Sequence, residues 1–159
     1  MKHFTYLGST ITDDCSLDME IETRIKKASV SYDRLKKRLW DTSNISLKTK
    51  ISVFQAVVIS TLLYGCETWT CYRKHIKLLE RFQIKHLKFI LRIRWQELLP
   101  DKEILSWCNT ISIEAQIAKH RLRWAGHVMR MASTRIPKKV FLSEMKNGKR
   151  DTGRPKLRY

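Results

Sequence analysis

Apolar residues recur at steps of three and four along most of the chain, which is the spacing of one face of an α-helix. The clearest stripe lies between residues 17 and 39 and comprises Leu17, Ile21, Ile25, Ala28, Tyr32, Leu35 and Leu39. The opposite side carries basic residues, namely Arg24, Lys26, Lys27, Arg34, Lys37 and Arg38. The pattern predicts an amphipathic helix that keeps its basic side in solvent.

Four further helices are predicted downstream. Residues 47–63 are apolar nearly all round, which indicates the central and most buried helix. The predicted helix over residues 72–93 is amphipathic, and a short helix is predicted over residues 101–108. A last helix over residues 113–131 is expected to bury Ile117, Trp124 and Val128, and order is expected to weaken beyond Pro137.

The first residues follow a different pattern. Residues 4–12 read FTYLGSTIT, rich in aromatic and β-branched types with a glycine in the middle, which predicts a short β-hairpin around Gly8 and Ser9. We therefore predict a mainly α fold, in which the hairpin precedes a helical bundle and a basic C-terminal tail. The expected segments are residues 1–15 for the hairpin, 16–95 for the bundle, 96–140 for a further helical segment and 141–159 for a tail that is disordered until bound.

The charge balance narrows the choice of partners. The 159 residues include 32 Lys and Arg against 15 Asp and Glu, a formal net charge of +17. So many like charges repel one another unless an anionic partner neutralises them. The candidate partners are nucleic acid, an acidic membrane surface and an acidic protein. No run of about 18 apolar residues exists to span a bilayer, so no membrane partner is expected. Without a signal peptide, the chain is expected to be nuclear or cytoplasmic and not secreted, with its four cysteines reduced.

Two adjacent carboxylates follow the hairpin. Asp13 and Asp14 could hold magnesium ions in a polymerase, but the third carboxylate that such a site needs has no upstream strand to occupy. Aspartate is common in turns, so a plain polar turn is the preferred interpretation.

A second group has the chemistry of zinc ligands and comprises Cys66, Cys71 and His75, with His120 and His127 downstream. Structural zinc sites show tighter, paired spacings, so buried or incidental thiols are the preferred interpretation. No Gly-x-Ser-x-Gly elbow and no glycine-rich phosphate loop occurs. We therefore predict no catalytic residue, no metal site and no cofactor in this chain.

Basic residues interleaved with aromatics are the sequence feature that favours nucleic-acid binding. The segment HRLRWAGHVMR places Arg123, His127 and Arg130 on one helical stripe that could follow a phosphate backbone. A plain solvated helix face is the alternative for this segment. On the neighbouring face, His120 and Trp124 look like core residues.

Two further stretches have a similar character. Arg92, Arg94 and Trp95 form a cluster in which cations can neutralise phosphates and the indole can stack on bases. In the tail, residues 153–156 read GRPK, similar to a minor-groove AT-hook, but Thr152 stands where a hook has a basic residue. A general phosphate-binding tail is therefore the preferred interpretation.

Residues 4–8, FTYLG, resemble the FxYLG motif of reverse transcriptases from non-LTR retrotransposons, the long interspersed elements. Similar segments follow in the family's order: IETRIKKA, LKTKISVFQAVVISTLLYGCETW, LERFQIKHLKFILRIRW, HRLRWAGHVMRM, RIPKKV and GKRDTGRPKLRY. Together they cover nearly the whole chain. They resemble the primer-grip, thumb and post-thumb region of such an RNA-directed DNA polymerase.

The resemblance also implies what this chain lacks. In that family a catalytic Tyr/Phe-Ala-Asp-Asp motif precedes the hairpin, where the parent enzyme uses Mg²⁺. Only three residues precede Phe4 here, so we expect the fingers, palm and catalytic aspartates to be absent and the chain not to polymerise alone. Met1 is then expected to be a gene-model start inside a decayed element, and the missing palm and fingers region is an expected partner.

The resemblance and the charge pattern together nominate the residues expected to contact RNA or DNA. They are Phe4, Tyr6, Leu7 and Gly8 in the grip, Lys26, Lys27, Arg34, Lys37 and Lys48 in the thumb, Arg92 and Arg94 after it, Arg121, Arg123, His127 and Arg130 in the last helix, and Lys149, Arg150, Arg154, Lys156 and Arg158 in the tail. Two alternatives stay open. One is a host-recruited helical protein that binds an acidic protein partner, and the other is an enzyme whose remaining half is a separate chain.

Overall fold

A computed structural model describes residues 3–13, 16–94 and 96–143. Its elements are strands β1 (His3–Tyr6) and β2 (Ser9–Thr12) and helices α1 (Asp18–Leu35), α2 (Leu47–Val53), α3 (Ser60–Leu62), α4 (Arg73–Ile90), α5 (Asp101–Trp107), α6 (Ile113–Arg130) and α7 (Ile136–Leu142). The predicted fold class is confirmed, because the described chain is mainly helical and begins with an antiparallel hairpin. Residues 144–159 of the predicted tail lie outside the described residues.

Two π-helical segments extend these helices. Lys36–Trp40 prolongs α1, and Phe54–Ile59 joins α2 to α3, so that the two helices form one α2–α3 rod. A π turn contains more residues than an α turn and shifts the faces that follow. Leu39 and Trp40, at the end of the first π-helical segment, are both buried. The indole N–H of Trp40 donates to the carbonyl of Tyr32 over 2.8 Å.

Phe54 lies at the centre of the core. Its side chain is fully buried in the α2–α3 rod, with the ring centroid 6.3 Å from that of Tyr32 and 6.4 Å from that of Trp40, both edge-to-face. The same hydrophobic cluster continues through Ile104 on α5 and Ile117 on α6. Helices from both sides of residue 95 thus share one core, and the division of the chain into segments stays a prediction.

The helices predicted for α1, α4 and α5 are confirmed, with small differences at their ends. The predicted stripe of α1 is buried at Ile21 and Tyr32. Residues 47–63, predicted as the central and most buried helix, contribute Phe54, Val58 and Leu62 to the core, but one side of the segment is exposed at Ala56 and Val57. The rod packs against α1 and α4, and Nε2 of Gln55 donates to Oγ1 of Thr110 over 2.6 Å. Across the described ranges, no helix has both the length and the apolar character needed to cross a lipid bilayer.

The predicted burial of Trp124 is wrong, because α6 borders an open groove at this position and the side chain is 44% exposed. Beyond Pro137, where order is expected to weaken, the described chain continues as the short helix α7 (Ile136–Leu142), none of whose residues is buried. Proline fits the first turn of a helix, where its missing N–H needs no partner.

The pairing of its strands and the geometry of its turn define the conformation of the hairpin. β1 and β2 pair with Phe4 opposite Ile11, which places both side chains on one face. The turn residues are Leu7 and Gly8 rather than the predicted Gly8 and Ser9, because Ser9 already pairs with Tyr6. Leu7 and Gly8 have φ values of +48° and +85°. Positive φ at both central residues defines a type I′ turn. Glycine adopts this conformation freely, whereas leucine is strained in it.

Candidate nucleic-acid interface

A buried ion pair on α1 holds the hairpin in place. Arg24 and Glu20 are 4% and 2% exposed, and their Nε and Oε1 atoms are 2.7 Å apart. Glu20 Oε2 accepts the N–H of Thr10 over 2.6 Å, while Nη2 of Arg24 donates to the carbonyl of Gly8 over 2.7 Å and to Oγ of Ser9 over 3.3 Å. The prediction that Arg24 faces solvent is wrong, because these acceptors satisfy a guanidinium in a buried site.

The outer face of the hairpin is open to solvent. Phe4 and Tyr6 are each 59% exposed, and Leu7 is 74% exposed. Three of the four nominated grip residues therefore present apolar side chains at the surface. Gly8 has a structural use as well, because its carbonyl accepts a hydrogen bond from Nζ of Lys27 over 3.4 Å. That contact places a nominated cation beside the turn.

The other nominated cations of α1 and α2 lie on exposed surface. Arg34, Lys37 and Lys48 are exposed, and no carboxylate of the described residues forms an ion pair with them. Lys26 is exposed as well and lies 3.9 Å from Glu22, one helical turn earlier. An exposed pair of this kind contributes little in water. The charge on this side of α1 is therefore available to an anion.

Arg92 and Arg94 lie in the chain that follows α4. Arg92 has a φ of +57°, and its Nη2 donates to the carbonyl of Asp41 over 3.4 Å. The backbone N–H of Arg94 donates to Oε1 of Glu97 over 3.4 Å. Both arginines are exposed. Trp95, which was nominated as their stacking neighbour, lies outside the described residues.

Helix α6 divides its nominated residues into two groups. Arg123, His127 and Arg130 are exposed and follow one stripe of the helix. Arg121 is half-buried instead, and its Nη2 donates to the carbonyl of Trp69. This hydrogen bond gives Arg121 a structural role in addition to its predicted contact with nucleic acid.

The residues considered as zinc ligands are used by the fold. Cys66 is buried, and burial raises the pKa of its thiol to about 12. Burial likewise raises the pKa of Cys71. The buried ring of His75 has Nε2 2.7 Å from Oδ1 of Asp18, while its Nδ1 accepts the backbone N–H of Tyr72 over 3.2 Å. Among the residues that the structure describes, no three His, Cys, Asp or Glu side chains form a group that could hold a metal ion.

Asp18, the first residue of α1, has a lowered pKa. Its Oδ1 lies 2.7 Å from Nζ of Lys74 and 2.7 Å from Nε2 of His75. The hydrogen bond from Lys74, and after it the one from His75, lowers the pKa of Asp18 to about 2. Of the two adjacent aspartates, Asp13 lies exposed in a turn, and Asp14 lies outside the described residues.

A groove of about 1070 Å³ opens between the hairpin, the end of the α2–α3 rod and α6. Exposed aromatic rings line it from all three sides, namely Tyr6, Tyr64 and Trp124. On its wall, Nδ1 of His120 lies 3.5 Å from Oε1 of Glu67. The sequence did not predict this groove. Its lining residues come from distant parts of the chain, and the periodicity of apolar residues within one helix does not show which distant residues will lie together.

The nominated tail residues Lys149, Arg150, Arg154, Lys156 and Arg158 lie outside the described residues, as does the GRPK segment. Their contact with nucleic acid stays a prediction.

Comparison with known proteins gives one informative similarity. The chain is 28% identical, over 166 residues, to an uncharacterised transposon-derived protein of Caenorhabditis elegans. The alignment covers 98% of this chain and 57% of the relative, so the chain spans little more than half of that protein's length. No protein-family model matches the chain, and no solved structure matches it. The similarity supports a relationship to transposon-derived proteins at this coarse level.

Proposed function

We propose that this chain is a nucleic-acid-binding segment derived from a non-LTR retrotransposon reverse transcriptase, where it corresponds to the primer grip, thumb and post-thumb. In this proposal the chain binds RNA or DNA through phosphate contacts and does not itself polymerise. The Mg²⁺-dependent chemistry of the parent enzyme belongs to a palm and fingers region, which is the proposed protein partner. The similarity to a transposon-derived protein supports this origin.

The observation that carries the binding proposal is the uncompensated charge of the exposed helix faces. Arg34 and Lys37 on α1, Lys48 on α2 and Arg123 and Arg130 on α6 are exposed, and within the described ranges none of them forms an ion pair with a carboxylate. Cations on a rigid scaffold attract a polyanion strongly, because binding releases the counterions condensed on it. Contacts to phosphates carry little sequence information, so we expect poor sequence specificity.

A salt titration tests the binding proposal. The anisotropy of a fluorescein-labelled single-stranded RNA would be followed as residues 1–159 are added, at several salt concentrations. If about six phosphates of the single strand are neutralised, the affinity should fall roughly 300-fold between about 50 and 200 mM salt. The runner-up function, binding of an acidic protein by a host-recruited helical protein, predicts no such binding to RNA or DNA. Absence of binding in dilute buffer would therefore overturn the proposal.

A double substitution locates the contact on α6. Arg123→Ala with Arg130→Ala should weaken binding and reduce the steepness of log affinity against log salt by about 1.4 for the single strand, because two phosphate contacts are lost. Both residues are exposed, so the unfolding temperature should be unchanged. The matched control is Lys102→Ala, which removes an exposed cation of α5 that stands between Asp101 and Glu103 in the sequence. If the double variant binds like the control, α6 is not a contact surface.

The proposed origin has a separate test. Genomic sequence upstream of the codon for Met1 would be translated and searched for Tyr/Phe-x-Asp-Asp. An intact open frame that encodes this motif would favour a complete polymerase over a decayed element. A frame without the palm motifs, interrupted by stop codons, would favour decay.

A further inference from the structure

The groove between the hairpin and α6 brings together exposed aromatic rings from three parts of the chain. Tyr6 ends β1, Tyr64 follows α3 and Trp124 lies in the middle of α6. Their side chains are 59%, 54% and 44% exposed, and all three line the same space of about 1070 Å³. Large aromatic side chains usually bury most of their surface in a core. Three of them around one opening form an unfilled apolar surface.

Tyr64 is held in position although it is exposed. The guanidinium carbon of Arg24 lies 4.7 Å from the centroid of its ring, within the range of a cation–π contact. The turn at Gly8 lies close by, since a Cβ placed on Gly8 would come within 3.9 Å of Cε1 of Tyr64. Because Arg24 is itself fixed by Glu20, the ring is pre-organised for an incoming partner.

Trp124 has a different setting on the opposite wall. Its ring lies 5.7 Å from that of His127 at an interplanar angle of 42°. Arg123 precedes it in α6 and is exposed. On the hairpin side, the exposed Lys27 lies beside the turn, with Nζ 3.4 Å from the carbonyl of Gly8. Neither cation belongs to the groove lining, but each lies on an element that forms one of its walls or contacts that element.

The lining contains two acidic residues, Glu20 and Glu67. Glu20 is buried and paired with Arg24, at 2.7 Å between Nε and Oε1. Glu67 lies 3.5 Å from Nδ1 of His120. A second copy of the chain is disfavoured as the occupant, because it carries the same net charge of +17 and like charges repel. The occupant needs flat apolar surfaces together with negative charge.

We propose that this groove binds the unpaired bases of a single-stranded nucleic acid, which stack on Tyr64 and Trp124 while the phosphates follow Lys27 and Arg123. An unpaired strand supplies both planar rings and negative charge, whereas a duplex hides its bases in the stack. This inference rests on the proposed function and deepens it, because it names the nucleic-acid class. Single strands should therefore bind more tightly than duplexes of equal phosphate number.

The experiment compares three labelled ligands with equal numbers of phosphates: a single-stranded oligonucleotide, a duplex of half its length, and an abasic strand that keeps the phosphates and lacks the bases. The full chain should bind the strand with bases more tightly than the abasic strand. Tyr64→Leu and Trp124→Leu should each weaken binding of the strand with bases by roughly 5- to 100-fold, the effect of one lost stacking contact. Neither variant should change the affinity for the abasic strand or the salt dependence, because no phosphate contact is removed.

Matched controls separate stacking from general damage. Trp107→Leu and Tyr72→Leu remove aromatic side chains that are 55% and 69% exposed and lie outside the groove lining, and both should bind like the wild type. Trp124→Phe keeps a ring and should recover most of the binding lost in Trp124→Leu. Unfolding temperatures of all variants would be measured to identify any that fail to fold.

The outcomes distinguish the groove proposal from the proposed function. If the abasic strand binds as tightly as the strand with bases, the groove proposal is overturned while nucleic-acid binding stands. If no nucleic acid binds in dilute buffer, the proposed function fails and the groove proposal fails with it. If an acidic aromatic peptide binds, and loses affinity in Tyr64→Leu and Trp124→Leu while nucleic acid does not, the groove belongs to a protein partner and the proposal is overturned.

Discussion

Arg24 and Glu20 lie one helical turn apart on α1 and form a buried ion pair beneath the hairpin, with 2.7 Å between Nε and Oε1. Pairs at this spacing on an exposed helix contribute only a few tenths of a kcal/mol. Here Glu20 also accepts the N–H of Thr10, and Arg24 donates to the carbonyl of Gly8. The pair therefore connects two elements, and loss of either partner leaves a charge buried without compensation.

Arg24→Met tests this connection. Methionine keeps much of the side-chain volume but removes the charge, so Glu20 loses its partner in a buried position. We expect the free energy of unfolding to fall by about 3–5 kcal/mol, measured by urea denaturation at neutral pH. The double variant Arg24→Met with Glu20→Gln removes both charges and should recover part of this loss.

Lys26→Met is the matched control for that experiment. Lys26 lies 3.9 Å from Glu22 at the same spacing on the same helix, but both side chains are exposed. Its loss should change the free energy of unfolding by less than about 0.5 kcal/mol. Equal effects of the two substitutions would show that burial of Arg24 under the hairpin has no energetic consequence.

Leu7→Asn tests the strain in the hairpin turn. Leu7 has a φ of +48°, a conformation that costs an ordinary side chain about 1–2 kcal/mol. Asparagine tolerates it better, and Asn-Gly is the preferred pair in two-residue hairpin turns. We expect the free energy of unfolding to rise by about 0.5–1 kcal/mol, and the affinity for RNA to fall because an exposed apolar contact is lost. A less stable variant would mean that packing of Leu7 outweighs its strain.

Phe54→Ala tests the centre of the core. Phe54 is fully buried and its ring meets those of Tyr32 and Trp40 edge-to-face. The substitution should lower the free energy of unfolding by about 3–5 kcal/mol, because it leaves a cavity where three helical elements meet. Phe89→Ala, at a side chain that is 45% exposed, serves as the control. A comparable loss in both variants would place the centre of the core elsewhere.

Asp18 predicts how stability responds to acid. Its pKa is lowered from 3.8 to about 2 by Lys74 and His75, so the folded state favours the ionised carboxylate. The ionised Asp18 carboxylate stabilises the folded state in full above its ordinary pKa, and this stabilisation is lost as the pH falls through about 2. The difference in unfolding temperature between the wild type and Asp18→Asn should therefore narrow as the pH falls from about 4 towards 2. A difference independent of pH would show that charge is not its cause.

Much of the helical framework is predictable from the chain because its signal is local. The stripe through Ile21, Ala28 and Tyr32 predicts the buried face of α1 without knowledge of what covers it, and the structure confirms that face. The hairpin is predictable for a similar reason, since β-branched and aromatic residues flank Leu7-Gly8. The predicted burial of Trp124 fails, because whether a helix face is covered depends on a distant element.

The sequence by itself determined the helical class, the N-terminal hairpin and the large positive charge, because periodicity and charge need no knowledge of neighbours in space. Only the tertiary structure shows that Arg24 is buried and that Tyr64 and Trp124 line the same groove. The physical reason is that a side chain's exposure depends on which distant segment packs over it. The spacing of residues along one helix does not encode that choice.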